Sequence, residues 1–251
     1  MNNQLEIEAL SVAYRGKLPV LRGINLSLEI GVRAALIGES GCGKTTLARA
    51  VMGLLQPQSG TIRFRDHSGN VFANPTRKER AHLVQMIFQD PYQSLNPRQT
   101  VKRTLEEAIR AAQVLNGEDV DKSCLELLDS VGLDESALPK YPHEFSGGQR
   151  QRISIARALA PNPLILVCDE AVSALDVTTQ KKVVQLLVHL SEVKKLTLFF
   201  ISHDLPLVQE FCQKLMVMEG GRIVESGRTE SILLDPQSTK TKELMDSVIA
   251  L

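Results

Sequence analysis

The sequence predicts an α/β fold with a mainly parallel sheet, an antiparallel β part at the N-terminus and an inserted α-helical subdomain. Three observations carry that expectation. Continuous apolar runs at 33–37, 164–168, 196–201 and 215–218 are separated by helix-length segments, the pattern of βαβ units whose strands are covered on both faces. The first thirty residues alternate apolar and polar side chains instead. From about 90 to 159 helical periodicity takes over, interrupting the α/β alternation.

In chain order, residues 5–14 and 24–30 read as half-buried antiparallel strands. Ile24, Leu26, Leu28 and Ile30 face one way, Asn25, Ser27 and Glu29 the other, and Arg15-Gly16-Lys17 makes the turn. A strand at 33–37 leads into a glycine-rich loop and a helix from about Gly43 to Leu54, which Gln56-Pro57-Gln58-Ser59-Gly60 ends. Thr61–Phe64 is a short strand. Asp66 to Arg80 is polar and reads as a loop with a turn at Asn74-Pro75. Leu83–Phe88 is a strand. Helices are expected over Thr100–Leu115, Val120–Val131, Ser146–Leu159, Thr178–Val193 and Pro206–Phe211. The expected division is a single domain over 1–251, with its core at about 1–89 and 160–251 and the helical subdomain at about 90–159.

Composition narrows the function classes. At 251 residues, 43% hydrophobic and 23% charged, the chain can bury a sizeable core. Its formal net charge of zero argues against a broad nucleic-acid surface. The four cysteines, Cys42, Cys124, Cys168 and Cys212, are scattered and suggest neither a zinc site nor a disulfide framework. His67, His82 and His143 have no metal-site spacing. No signal peptide is visible at the N-terminus, and the longest apolar runs are far too short to span a membrane. Any membrane role is therefore expected to run through partners.

Gly38-Glu39-Ser40-Gly41-Cys42-Gly43-Lys44-Thr45-Thr46 fits G-x-x-x-x-G-K-[ST] at every fixed position, between an apolar strand and a helix. Glycines let backbone N–H groups curl toward phosphate oxygens, and the helix start adds partial positive charge. Lys44 can reach the β- and γ-phosphates, and the Thr45 hydroxyl can ligate Mg²⁺. The fold class is therefore a P-loop NTPase core. Its acidic partner is expected at the end of Leu164–Glu170: Asp169 to hold Mg²⁺, directly or through water, and Glu170 to accept a proton from attacking water. A second anion-binding element is Ser146-Gly147-Gly148-Gln149, where Ser146 caps a helix and the glycines expose N–H groups.

The order of these motifs, followed by Ser173-Ala174-Leu175-Asp176 and Ser202-His203-Asp204, resembles an ABC-transporter ATPase subunit over essentially the whole chain. The resemblance implies that two such domains pack head to tail, each ATP lying between one loop and the other subunit's Ser-Gly-Gly-Gln. It further implies that Tyr14 stacks on adenine, that Gln89 senses Mg²⁺ and the γ-phosphate, and that Glu170 is the base. Asp176 lies in the loop crossing to the partner, and His203 contacts the γ-phosphate. Phe88-Gln89-Asp90-Pro91-Tyr92-Gln93-Ser94-Leu95-Asn96-Pro97 and the stretch to Val101 resemble the peptide/nickel importer group. Ala171 departs from the family's usual proline after the glutamate.

The function implied is an ATP-hydrolysing subunit, with ATP and Mg²⁺, energising uptake of peptides or nickel/metal complexes. Its expected partners are a second ATPase chain in a hetero- or homodimer, two integral-membrane permease subunits and an extracytoplasmic binding protein. No nucleic-acid partner is expected. The expected location is the cytoplasmic face of the membrane, peripherally attached. Another small-solute importer, an exporter and a soluble ATPase of the same family remain as alternatives.

Overall fold

The computed structural model describes residues 3–89, 94–111 and 119–249. Two sheets organise them. The first is antiparallel, in the order β2-β1-β4-β5, from β1 (Asn3–Ala13), β2 (Pro19–Glu29), β4 (Ser59–Arg65) and β5 (Val71–Ala73). The second has the order β10-β9-β3-β8-β7-β6. Its strands are β3 (Arg33–Ile37), β6 (Val84–Ile87), β7 (Ile165–Asp169), β8 (Thr197–Ile201), β9 (Lys214–Glu219) and β10 (Arg222–Arg228). All its neighbouring pairs run parallel except β9 and β10.

The continuous apolar runs become strands buried on both faces, and the twofold alternation of side chains divides them between two cores. Ala34, Leu36, Ile165, Val167, Phe199 and Ile201 pack toward the antiparallel sheet and helix α1 (Lys44–Val51). Ala35, Ile37, Leu166, Cys168, Leu198 and Phe200 pack the other way, against the helical layer. That layer contains α5 (Gly147–Leu159), α6 (Val177–Lys194) and α7 (Leu205–Phe211). Between β6 and β7 the chain also forms α3 (Val101–Ala111) and α4 (Val120–Ser130), which pack with α5.

Register levels the strand ends. Leu36 pairs with Ile201, Asp169 with Ile201, Ile87 with Cys168 and Ile37 with Val217. The residues that follow the strands, Gly38, Gln89, Glu170 and His203, therefore leave the sheet along one rim. In an open parallel sheet the carboxyl ends of the strands are where ligands bind.

Three segments depart from the sequence expectation. Residues 66–80 are not simply a loop: β5 pairs with β4, and α2 (Arg77–Leu83) begins at a capping box of Thr76 and Glu79. Their polar composition reflects a short edge strand and an exposed helix. Beyond Met218, β10, α8 (Thr229–Leu234) and α9 (Thr239–Ile249) extend the structure. In β10 no residue is fully buried, so its alternation is too shallow to stand out. The expected helix Thr100–Leu115 is seen as Val101–Ala111; residues 112–115 lie outside the described residues. So do Asp90, Pro91, Tyr92 and Gln93. No helix among the described residues is long and apolar enough to cross a membrane.

Candidate functional site

The loop between β3 and α1 is set by close packing against β9. A Cβ on Gly38 would lie 2.3 Å from the Met218 carbonyl oxygen, so no side chain fits there. Lys44 is only 8% exposed, and its ammonium donates to the Gly38 and Glu39 carbonyls at 2.6 and 2.9 Å. The loop thus holds the lysine head inside its own curve. Ser40, Gly41, Gly43, Lys44, Thr45 and Thr46 line a cleft of about 230 Å³, and the residue that joins them from elsewhere is Glu170. Cys42 is partly buried beneath the loop, its N–H donating to the Glu39 carbonyl at 3.3 Å.

Glu170 adopts a left-handed backbone, φ 46°, which is uncommon for a residue with a side chain. Its N–H donates to the Ile201 carbonyl at 2.9 Å, and its carbonyl accepts from the Ser173 hydroxyl at 3.0 Å. The turn throws the carboxylate back over the strand ends. There Gln89 Nε2 donates to Oε2 at 2.9 Å, and His203 Nδ1 lies 3.3 Å from Oε1. Ala171 is buried in this turn. Asp204 caps α7 by accepting from the Leu207 N–H at 2.9 Å and is held by Gln180 Nε2 at 2.9 Å, which steadies the backbone beside His203.

Asp169 sits next to Thr45. Burial is the main cause pushing its carboxyl above the usual range, with Glu170 adding to it; the Thr45 hydroxyl, Arg49 and Lys44 oppose. The Thr45 hydroxyl and the Asp169 carboxylate form an all-oxygen pair, which suits Mg²⁺, while the Gln89 amide is bonded to Glu170. Among the described residues no cluster of three or more His, Cys, Asp or Glu could hold a metal alone. Tyr14, at the end of the first hairpin strand, places its hydroxyl 3.3 Å from the Thr46 hydroxyl, and this contact is the main cause lowering the phenol's pKa.

Two predicted elements stand apart from the cleft. Tyr14, Gln89, Asp169 and His203 do not line it but contact Thr46, Glu170 or Thr45, which do. Ser146, Gly147, Gly148, Gln149 and Asp176 neither line it nor, among the described residues, have such a contact. Ser146 caps α5 through a reciprocal box: Ser146 N–H donates to Gln149 Oε1 at 3.0 Å, and Gln149 N–H to Ser146 Oγ at 3.3 Å. Gly148 and Gly147 press against Thr179 and Leu175, so this element abuts the start of α6. Asp176 caps α6 by accepting from the Thr179 N–H at 3.0 Å, and this bond is the main cause holding its pKa low. A residue the sequence did not reveal is Lys240, whose ammonium reaches Glu39 from the C-terminal helix. Nothing in spacing or composition relates two positions so far apart.

The ABC transporter family model matches residues 21–173. The dipeptide transport ATP-binding protein DppF of Haemophilus influenzae is 39% identical over 231 residues, covering 92% of this chain and 71% of the relative. The nickel import ATP-binding protein NikE of Shigella boydii is 44% identical over 207 residues, 82% of this chain and 77% of the relative. Among solved structures, cbiO1 from Clostridium perfringens, part of the transporter complex cbiONQ, superposes with a TM-score of 0.81 at 27% identity. It covers 99% of this chain and 95% of its own. The ATP-binding cassette MJ0796, in a dimeric post-hydrolysis state with ADP and Pi, gives 0.73 at 26% identity, covering 90% and 98%. The order of motifs, the rim of strand ends and these likenesses agree: the chain belongs to the ABC transporter family and is one of its ATP-binding proteins.

Proposed function

We propose that this chain hydrolyses ATP to drive an importer of peptides or nickel/metal complexes. The observation that carries the reading is the cleft in which Glu170, from a distant part of the chain, joins the loop residues Lys44 and Thr45. ATP is the substrate. Gly38 to Thr46 would cradle its phosphates through backbone N–H groups, with Lys44 turning from the loop carbonyls to the β- and γ-phosphates. Thr45, Asp169 and Gln89 would hold Mg²⁺, which supplies neutralisation of phosphate charge. Glu170 would take a proton from water as the water oxygen bonds to the γ-phosphorus and the bridging bond to ADP breaks. Gln89 and His203 keep the Glu170 carboxylate aimed, so catalysis rests on positioning and charge stabilisation. The Tyr14 ring would stack on adenine.

In this reading Ser146–Gln149 completes the cleft of a second ATPase subunit, Asp176 lies in the loop that crosses to it, and the helical subdomain at about 90–159 moves with the dimer. The support is that Ser146, Gln149 and Asp176 bond at the starts of α5 and α6, away from the residues that line their own chain's cleft. Two permease subunits and an extracytoplasmic binding protein complete the transporter, placing this chain on the cytoplasmic membrane face. The importer assignment rests on the Phe88–Val101 string and on relatives named for dipeptide, oligopeptide and nickel transport. The test is co-purification with two multi-span membrane proteins and ATPase stimulation by a binding protein loaded with peptide or with a nickel complex. Stimulation by neither overturns the cargo class; absence of ATP hydrolysis overturns the activity.

A further inference from the structure

The C-terminal helix is fastened to the phosphate-binding loop. Lys240, in the first turn of α9, is 8% exposed, and its ammonium pairs with the Glu39 carboxylate and, at 2.9 Å, with Glu243. Glu39 is the second residue of the loop, and its backbone carbonyl accepts the Lys44 ammonium at 2.9 Å. One residue is therefore gripped twice: by Lys44 through its backbone and by Lys240 through its side chain. The base of α9 is anchored in turn. Glu225 of β10 accepts from the Gln237 and Ser238 N–H groups at 2.9 and 3.0 Å and from the Thr241 hydroxyl at 2.5 Å. Strand β10 pairs with β9, and β9 with β3, whose end is the loop itself.

Two physical consequences follow. Glu39 precedes Ser40, which lines the cleft, and a carboxylate so near a site for a polyphosphate repels the ligand unless a cation cancels the charge; Lys240 supplies that cation. The lysine stem is packed while Glu39 and Glu243 are more than half exposed, so moving Glu39 away leaves the ammonium with Glu243 alone at the protein surface, a modest loss. Both effects favour the loop conformation that keeps Lys44 over the cleft.

We propose that Lys240 is a positioning residue for the nucleotide site, and that docking of α9 and binding of ATP strengthen each other. The proposal rests on the reading of Gly38–Thr46 as the phosphate site of ATP. Coupling of this kind is reciprocal: what the docked helix gives the nucleotide, the nucleotide returns to the helix.

The test uses the full chain. ATP dissociation constants in Mg²⁺ are measured for wild type, Lys240→Met, Lys240→Arg and the double variant Glu39→Gln/Lys240→Met. Amide hydrogen exchange over 240–246 is followed in wild type with and without ATP. Lys240→Met is expected to weaken ATP binding about 5- to 20-fold, in the range of ordinary coupling energies. Lys240→Arg restores affinity, and the double variant regains part of it because the uncancelled carboxylate is gone. ATP slows exchange over 240–246 in wild type. Equal affinity of wild type and Lys240→Met overturns the proposal alone, as does exchange over 240–246 that ignores ATP. The exchange arm needs no substitution and decides the matter even where a variant misfolds. A wild-type chain that binds no ATP overturns the phosphate-site reading, and the proposal with it.

Discussion

His203 Nδ1 stands 3.3 Å from Glu170 Oε1, although the two residues are 33 positions apart in the chain. The contact exists because β7 and β8 are parallel neighbours whose ends are level, Asp169 opposite Ile201. One residue beyond Asp169 and two beyond Ile201, a carboxylate and an imidazole meet, and the carboxylate also lines the cleft of the glycine-rich loop. Replacing Glu170 by Gln keeps the shape and a hydrogen-bonding oxygen but removes the proton acceptor. ATP affinity should stay close to wild type while turnover falls about 10²-fold or more. Steady-state ATPase with a parallel binding titration checks this; near-normal turnover assigns the proton to another group.

His203→Ala removes one of the two groups that aim Glu170 but leaves Gln89. On the proposed reading its effect should fall on kcat more than on KM, because its observed contact is with Glu170. A drop of roughly 10-fold or more in kcat with KM within a factor of about three is expected. A rise in KM alone would mean that His203 serves binding only.

Gly148 is fixed by a close approach. A Cβ there would lie 2.5 Å from Thr179 Cγ2, with α5 and α6 packed at this point. Gly148→Ala should cost about 1–3 kcal/mol through overpacking, read as a lower melting temperature. Adding Thr179→Ser removes the offending methyl and should recover most of the loss. If the double variant melts no higher than Gly148→Ala, the strain lies elsewhere.

How far the site could be read from sequence depended on where each residue's constraint originates. The loop Gly38–Thr46, the strand ending in Asp169-Glu170 and the Ser146 cap are contiguous stretches whose spacing is itself the constraint, so they stood out. The strands at 33–37 and 164–168 were legible because they are buried on both faces. Edge elements were not: β5 and β10 bury too little to show a period, and α2 hides a buried arginine among charged neighbours. The meeting of Gln89, Glu170 and His203 follows from strand order, which local spacing does not encode. Lys240 on Glu39 was wholly illegible, since the pair joins segments with no shared periodicity.

Arg80 caps the C-terminal end of another helix, α1. Its guanidinium donates to the Pro75 carbonyl at 3.0 Å, to the Ala50 carbonyl at 3.3 Å and to that of Val51, and it stacks 5.6 Å from the Phe64 ring centroid. Burial depresses its pKa, and two of its three carbonyl partners, those of Ala50 and Val51, end α1, the helix that starts at the glycine-rich loop. Arg80→Met fills the space but leaves those carbonyls bare. A loss of about 2–3 kcal/mol is expected, seen as a melting temperature lower by roughly 4–10 °C for a domain of this size. An unchanged melting temperature would show that water satisfies the freed carbonyls at no cost.

Glu225 ties the C-terminal helix to β10, and the sign of its acid response can be worked out. Burial alone would raise its pKa, but the Gln237 and Ser238 N–H groups and the Thr241 hydroxyl outweigh it, and the net shift is downward. An acid with a depressed folded pKa stabilises the fold fully above its unfolded pKa, near 4.5 here, and loses that contribution as pH falls through the lower folded value. Amides over 237–246 should therefore keep their exchange protection at pH 6 and lose it as the solution is acidified below about 4.5, ahead of β3, β7 and β8, whose strands are buried on both faces. Glu225→Gln cannot carry the charge, so its protection should be weaker at pH 6 and flat across the acid range. A variant that keeps the wild-type acid transition would place the titrating group somewhere other than Glu225.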